Sequence, residues 1–295
     1  MAFSDNLKGA FFMSASMAGF VVNDAIIKVV SADNGVALFQ SIFIRGLFAM
    51  AFIGLLAWVT GSFKNLPGRR DHKKIAWRSV AEMGATISFL SALMFMPLAN
   101  ITAILQALPL TVTIAAAFFL AEPFGWRRLA AIVIGFIGVL LIVQPGTSGF
   151  NSYALLALLC VLLVTWRDLI VRTMSKSVSN LYMAFITASV ICAMGLVGMF
   201  ATTGWEPIAT REILLLACAA FFLFIGYLGV VSGMRIGEVG FVTPYRYTGM
   251  IWALLVGYWV WGEVPNFLAS IGIACVVAAG FFTLLREQKR QSEAA

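Results

Sequence analysis

Ionisable side chains lie inside several otherwise apolar stretches of this chain. They are Asp24, Lys28, Arg45, Glu82, Arg167, Asp168 and Arg246. A charge at the centre of a membrane-spanning helix costs about 2.5–3.5 kcal/mol on insertion scales, so such residues usually face a partner or a water-filled cavity. A cation and an anion held apart in a cavity could bind the two ends of a zwitterion.

Some of these charges have a partner of opposite sign at helical spacing. Asp24 and Lys28, like Asp168 and Arg172, are four residues apart, which places both members of each pair on one face of a helix. Such pairs could simply neutralise each other and hold helices together. Arg45 and Arg246 have no acidic residue at this spacing, so their partners must come from other helices or from a bound molecule.

The stretch that begins at Phe241 combines a proline, a cation and several rings. Pro244 removes a backbone donor near the start of a predicted helix, which a membrane tolerates mainly beside protein or a water-filled cavity. Phe241, Tyr245 and Trp252 share one helical face. An aromatic stripe more often packs than binds, but the neighbouring Arg246 favours binding here.

The composition is that of a membrane protein. Hydrophobic residues make up 61% of the chain and charged residues 11%, so too few polar side chains remain to cover a water-facing surface. The four cysteines lie in apolar runs and are predicted to pack, and the single histidine, His72, lies in a basic loop, so the sequence predicts neither a His-based metal site nor a catalytic triad. The sequence predicts no metal, no cofactor and no nucleic-acid partner.

Ten segments are apolar and long enough to cross a bilayer, which takes about 20 residues each. The predicted spans are residues 8–30, 36–60, 74–96, 99–121, 126–144, 152–174, 179–202, 211–235, 239–262 and 265–286. With both termini in the cytoplasm, basic residues concentrate on that side. Apart from Lys28 and Arg45, which are counted as intramembrane charges, the opposite loops with their nearby helix ends contain only Arg211. The charged tail is predicted to fray.

Given this orientation, a rise of about 1.5 Å per residue divides the intramembrane charges by depth. Asp24, Lys28 and Arg45 fall toward the outer side. The others fall toward the cytoplasmic side. The two groups are therefore predicted to lie at the two ends of a path through the bundle.

The chain also repeats itself at nearly constant spacing. Ser91, Thr102 and Glu122 recur as Ser232, Thr243 and Glu263, and the pair Asp24 and Lys28 recurs as Asp168 and Arg172. A repeat with an odd number of spans must lie inverted in the bilayer, which is the architecture of alternating-access carriers. The predicted units are two five-helix halves, residues 1–147 and 148–286, and a cytoplasmic tail, residues 287–295.

Long apolar helices close on Ala121-Glu122 and on Gly262-Glu263, and each is followed by a span rich in glycine. In this pattern and in its paired halves, the chain resembles the drug/metabolite transporter superfamily, in the branch with two EamA-type domains. The resemblance implies an all-α bundle of ten helices around a central cavity. It also implies export of amino acids or related metabolites across a bacterial inner membrane, with aromatic-amino-acid exporters as the nearest group.

An aromatic zwitterion could use arginine for its carboxylate, aspartate for its ammonium group, and tryptophan and tyrosine for its ring. The predicted substrate-binding or path residues are Asn23, Asp24, Arg45, Glu82, Gln106, Trp166, Arg167, Asp168, Tyr245, Arg246 and Trp252. We expect a carrier that acts as a monomer in the lipid bilayer on a small-molecule substrate.

Other functions remain open from the sequence. The same fold could export other metabolites, nucleosides or cationic drugs, and saturable counterflow would separate a carrier from a channel. A membrane-embedded enzyme would need a cluster of His, Asp or Glu in its loops, which this sequence lacks. The absence of a nucleotide-binding motif makes this chain a poor candidate for an ATP-driven pump.

Overall fold

The computed structural model of the protein describes residues 2–63, 67–119, 126–147, 150–175 and 178–294. Every regular element in these ranges is helical. The helices are α1 (Ala2–Lys28), α2 (Leu38–Val59), α3 (Arg69–Phe95), α4 (Leu98–Leu105), α5 (Leu108–Phe119), α6 (Trp126–Val143), α7 (Ala154–Arg172), α8 (Asn180–Thr202), α9 (Thr210–Ile236), α10 (Val239–Val242), α11 (Thr248–Trp261) and α12 (Phe267–Ala294). A π-helical turn, Val29–Asp33, extends α1, and a 3₁₀ turn, Thr243–Tyr247, joins α10 to α11.

A helix occupies each predicted span within these ranges. Six stretches are long and apolar enough to cross a membrane: Asp5–Asp33, Leu38–Val59, Leu98–Phe119, Ala154–Arg172, Asn180–Thr202 and Thr210–Ile236. Leu129–Val143 and Phe267–Thr283 are shorter apolar helices. The protein is therefore all-helical over the described ranges and has several membrane spans, whereas the number ten and the inversion of the halves stay predictions.

Two predictions concern the ends of helices. The tail was expected to fray, but α12 continues as helix to Ala294, because its last residues are mostly Glu, Gln, Lys, Arg and Ala, which favour helix. The end of the fourth predicted span, with Glu122, lies outside the described residues. An inverted repeat would place Glu122 and Glu263 on opposite faces of the membrane, and this stays a prediction.

The fourth and ninth spans are both interrupted. Helix α4 ends at Leu105 and α5 begins at Leu108, immediately before Pro109, as the proline predicts because it cannot donate to the helical ladder. In the ninth span the 3₁₀ turn contains Pro244. The side chain of Gln106 donates to the carbonyl of Arg246 across the two breaks, at 3.4 Å.

Helices pair closely where glycine removes the side chain between them. The main pairs are α1 with α9, α2 with α8, α3 with α7, and α6 with α12. In the last pair, a Cβ placed on Gly138 would lie 2.7 Å from the carbonyl oxygen of Gly272, and one on Gly272 would lie 2.5 Å from that of Gly138. The backbones themselves are therefore in contact, as small residues permit in membranes.

These pairs map onto one another if the first five predicted spans are exchanged with the second five. The pair α1–α9 then becomes α7–α3, while α2–α8 and α6–α12 each map onto themselves. A duplicated bundle would produce this pattern, so it supports the predicted repeat.

Replacing Gly138 with alanine should lower the melting temperature in detergent, because a Cβ at this position would force α6 and α12 apart. Overpacking of this kind typically costs about 1–3 kcal/mol. Gly68→Ala is the matched control, since a Cβ at Gly68 would meet nothing within 4 Å. An equal melting temperature for both variants would contradict the close contact.

Candidate functional site

A cavity of about 420 Å³ lies in the centre of the bundle. Helices α1, α2, α3, α7, α8 and α9, the α4–α5 region and the 3₁₀ turn of the ninth span all contribute to its wall. Its polar and charged lining residues are Asn23, Asp24, Arg45, Glu82, Thr86, Arg167, Thr187, Tyr227 and Arg246. This volume lies within the range of about 300–1,000 Å³ that is usual for small-molecule sites.

Charges that were assigned to the two ends of a path line one cavity, with Asp24 and Arg45 from the outer group and Glu82, Arg167 and Arg246 from the inner group. The depth of each group in the bilayer stays a prediction.

One wall of the cavity holds a short polar chain that begins on α1. The Asn23 amide donates to Oδ1 of Asp24 at 2.8 Å, and Arg45 Nη1 donates to Oδ1 of Asn23 at 3.3 Å. Asn23 is 2% exposed and Arg45 9% exposed. Asn23 thus connects the carboxylate to the guanidinium, and Asp24 has no salt bridge within 4.0 Å in the described parts of the chain.

A second charge cluster, which contains Glu82 and Arg167, joins α3 to α7. Nη1 of Arg167 donates to both carboxylate oxygens of Glu82, at 3.1 and 2.9 Å, while its Nη2 lies 2.9 Å from Asp168. Arg78 lies 3.9 Å from Glu82 and also hydrogen-bonds to the hydroxyl of Thr187. The negative charge of Glu82 is therefore compensated from two helices.

Arg246 is the exception among the cavity cations. It is exposed, and it lines the cavity. Its guanidinium makes no hydrogen bond or close ion pair with any residue that the structure describes. Asp168 is near enough to interact with it electrostatically, but that carboxylate is already bound to Arg167.

The remaining predicted site residues lie outside the cavity lining. Gln106 supports the break in the ninth span, as described above. Trp166 is 48% exposed and meets the ring of Phe119 edge-on. Tyr245 contacts Phe241, and Trp252 packs against the main hydrophobic core. A role for these residues in recognition stays a prediction.

The rings of the cavity are ones that the sequence did not single out. Phe20, Phe89 and Tyr227 belong to its lining, and Phe20 meets Tyr227 edge-on with ring centroids 5.7 Å apart. Phe20 shares a helical face with Asn23 and Asp24, and this was the one available signal. With 25 phenylalanines in the chain, an isolated ring carries little information.

Lys28 does not pair with Asp24 as its spacing allowed. Its Nζ lies 2.6 Å from Oε1 of Glu263 and 2.9 Å from the carbonyl oxygen of Met96. The other oxygen of Glu263 accepts from the backbone N–H of Leu98 at 2.7 Å. This group, which we call the Lys28 cluster, joins the ends of α1, α3, α4 and α11.

The model of the EamA-like transporter family matches residues 7–144. An S-adenosylmethionine uptake transporter of Rickettsia prowazekii is 26% identical over 97% of this chain and 95% of its own. A riboflavin transporter of Vibrio cholerae is 25% identical over 96% of this chain and 95% of its own. A protein of known crystal structure superposes with a TM-score of 0.61 and 16% identity, over 93% of this chain and 98% of that chain.

Proposed function

We propose that the central cavity of this chain carries metabolites with an α-amino-acid head and an aromatic body, because residues 7–144 match the EamA-like transporter family and relatives over nearly the whole chain are named as transporters. The protein is a small-metabolite transporter of the EamA type. Aromatic amino acids are the leading candidates. S-Adenosylmethionine, which has the same head and an adenine ring, is the second candidate because it is the substrate named for a relative that spans nearly the whole chain.

The observation that carries this proposal is the guanidinium of Arg246. It faces the cavity without a hydrogen bond or close ion pair among the described residues. A carboxylate can accept two parallel hydrogen bonds from such a planar donor. Asp24, whose described polar contact is the Asn23 amide, can accept from an ammonium group. The cavity thus supplies a site for each end of an amino acid.

The aromatic body would lie against rings in the same cavity. Phe20, Phe89 and Tyr227 provide apolar faces beside the polar groups. Two or three well-placed polar groups in a mostly apolar pocket are typical of sites that bind small organic molecules. This arrangement favours an amphipathic metabolite over a small inorganic ion.

We further propose that transport is alternating access and runs outward from the cytoplasm. The segregation of basic residues supports cytoplasmic termini in a bacterial inner membrane. The interrupted fourth and ninth spans meet at the cavity, as broken helices do in many secondary carriers. The protein is proposed to act as a monomer and without catalysis.

Counterflow in proteoliposomes tests the proposal. Vesicles preloaded with unlabelled phenylalanine, tryptophan, S-adenosylmethionine or riboflavin should accelerate uptake of the matching labelled compound where that compound is a substrate. We expect saturable exchange for the amino-acid-headed compounds and none for riboflavin, which lacks that head. Exchange of riboflavin alone would overturn the assignment. Imposed gradients in oriented vesicles then give the direction.

Tyr227→Leu should weaken the apparent affinity for aromatic substrates several-fold. Aromatic contacts contribute about 0.5–1.5 kcal/mol beyond the burial of area, and about 1.4 kcal/mol corresponds to tenfold in affinity. Tyr227→Phe is the control, because it keeps the ring that Phe20 contacts. If the leucine variant is folded and binds aromatic and aliphatic amino acids as the wild type does, Tyr227 does not face the substrate ring.

A further inference from the structure

We infer that, among substrates of similar shape, the cavity binds those of zero or negative net charge more tightly than net cations, and that Arg246 sets this preference. The inference rests on the proposed function and adds a substrate class to it. It starts from the charges that line the cavity. Three guanidinium groups, those of Arg45, Arg167 and Arg246, face two carboxylates, those of Asp24 and Glu82.

Two of the three cations are already compensated. Arg167 binds both oxygens of Glu82. Arg45 is connected to Asp24 through the side chain of Asn23. Arg246 is left with no such link among the described residues. The excess positive charge therefore lies at one identifiable side chain.

Two charges beside the lining residues offset each other. Asp168 adds a negative charge near Arg246 and Arg167, and Arg78, 3.9 Å from Glu82, adds a positive one. Arginine does not lose its proton in proteins, so the excess persists over the physiological range of pH.

The aromatic lining works in the opposite direction but more weakly. A ring face attracts a cation only when the two are nearly in contact. A full charge acts over a longer distance, and this effect is stronger where water is scarce. We therefore expect the charge of Arg246 to outweigh the rings for a molecule that fills the cavity.

The consequence separates molecules that differ by a single charge. S-Adenosylmethionine has a carboxylate, an ammonium group and a sulfonium, so its net charge is positive. S-Adenosylhomocysteine lacks the sulfonium methyl group and is a zwitterion of otherwise equal shape. Phenylalaninamide and phenylalanine also differ by one unit of net charge, because the amide removes the carboxylate charge and leaves a cation. In each pair, the zwitterion should be the better ligand.

Competition for uptake into proteoliposomes, against the labelled compound that counterflow identifies as a substrate, measures this preference in both pairs. For the wild type we expect the zwitterion to compete at a concentration at least tenfold lower than its cationic partner. Arg246→Gln should reduce the ratio for the adenosyl pair to near one, whereas Arg246→Lys, which keeps the charge, should preserve it. Melting temperatures establish that both variants are folded.

The outcomes distinguish this inference from the proposed function. Equal competition by both members of the adenosyl pair in the wild type would overturn the inference and leave the function intact. An unchanged ratio in a folded Arg246→Gln variant would remove Arg246 as its cause. If none of the four compounds competes, the proposed function and the inference both fail. If Arg246→Gln does not fold, the wild-type ratio and Arg246→Lys still decide the selectivity.

Discussion

Replacing Arg167 with methionine should abolish transport and strongly destabilise the protein. The guanidinium binds both oxygens of Glu82 and one oxygen of Asp168. Its removal leaves two carboxylates without their main partner inside an apolar bundle. Breaking a buried pair by removing one member typically costs about 3–5 kcal/mol. Because Asp168 has a side chain that is 40% exposed, whereas that of Glu82 is 15% exposed, most of the effect should come from Glu82.

The double variant Arg167→Met with Glu82→Gln separates stability from transport. Removing the charge of Glu82 should restore much of the melting temperature, because the carboxylate that is left without Arg167 is then only that of the more exposed Asp168. Transport should stay absent if this ion pair shapes the cavity. An Arg167→Met protein that melts like the wild type would contradict the compensation of Glu82 seen here.

Replacing Lys28 with methionine should shift the protein toward a state in which the ends of α1, α3, α4 and α11 are apart, and we expect the cavity to become more accessible from that side. This cation ties the end of α1 to Glu263 and to the carbonyl of Met96. A group of contacts that exists only when these helix ends are together favours the closed state by its own free energy. Losing about 3 kcal/mol of it would change the ratio of the two states by roughly a hundredfold.

A cysteine at Thr86, in a protein without the four native cysteines, reports this change. The residue lines the cavity, so a membrane-impermeant thiol reagent should label it faster from the Lys28 side in the methionine variant. The charge swap Lys28→Glu with Glu263→Lys is the control and should slow labelling again. Unchanged labelling in both, with a lower melting temperature for Lys28→Met, would make the cluster a purely structural tie.

Much of the fold follows from hydrophobicity, because every long apolar segment must satisfy its backbone internally in lipid. The sequence also located Pro244, which lies in the 3₁₀ turn that interrupts the ninth span. Helix ends were less predictable. The extension of α12 to Ala294 agrees with helix propensity, which an analysis of apolar runs does not weigh.

The site was predictable in its members more than in its arrangement. Asp24, Arg45, Glu82, Arg167 and Arg246 stood out because charges are rare in apolar segments, and all of them line the cavity. Their grouping was not predictable, since it depends on how helices cross.

Two further kinds of feature could not be recognised from the sequence: partners that lie far apart along the chain, and cavity residues of a common type. Lys28 and Glu263 are 235 positions apart, and no local spacing connects them. Phe20 and Phe89 are two of many phenylalanines, and the stripe in the ninth span drew attention to rings that pack elsewhere.

The glycine contacts between helices have a consequence for how such a bundle can move. Each close pair, such as α6 with α12, takes one helix from each predicted half. If one half rocked as a rigid body against the other, every one of these backbone contacts would have to slide at once. Motion at the two interrupted spans would leave them intact. Each moving unit of this protein would then contain helices from both predicted halves. The boundary between the two predicted repeats would not be a boundary between moving parts.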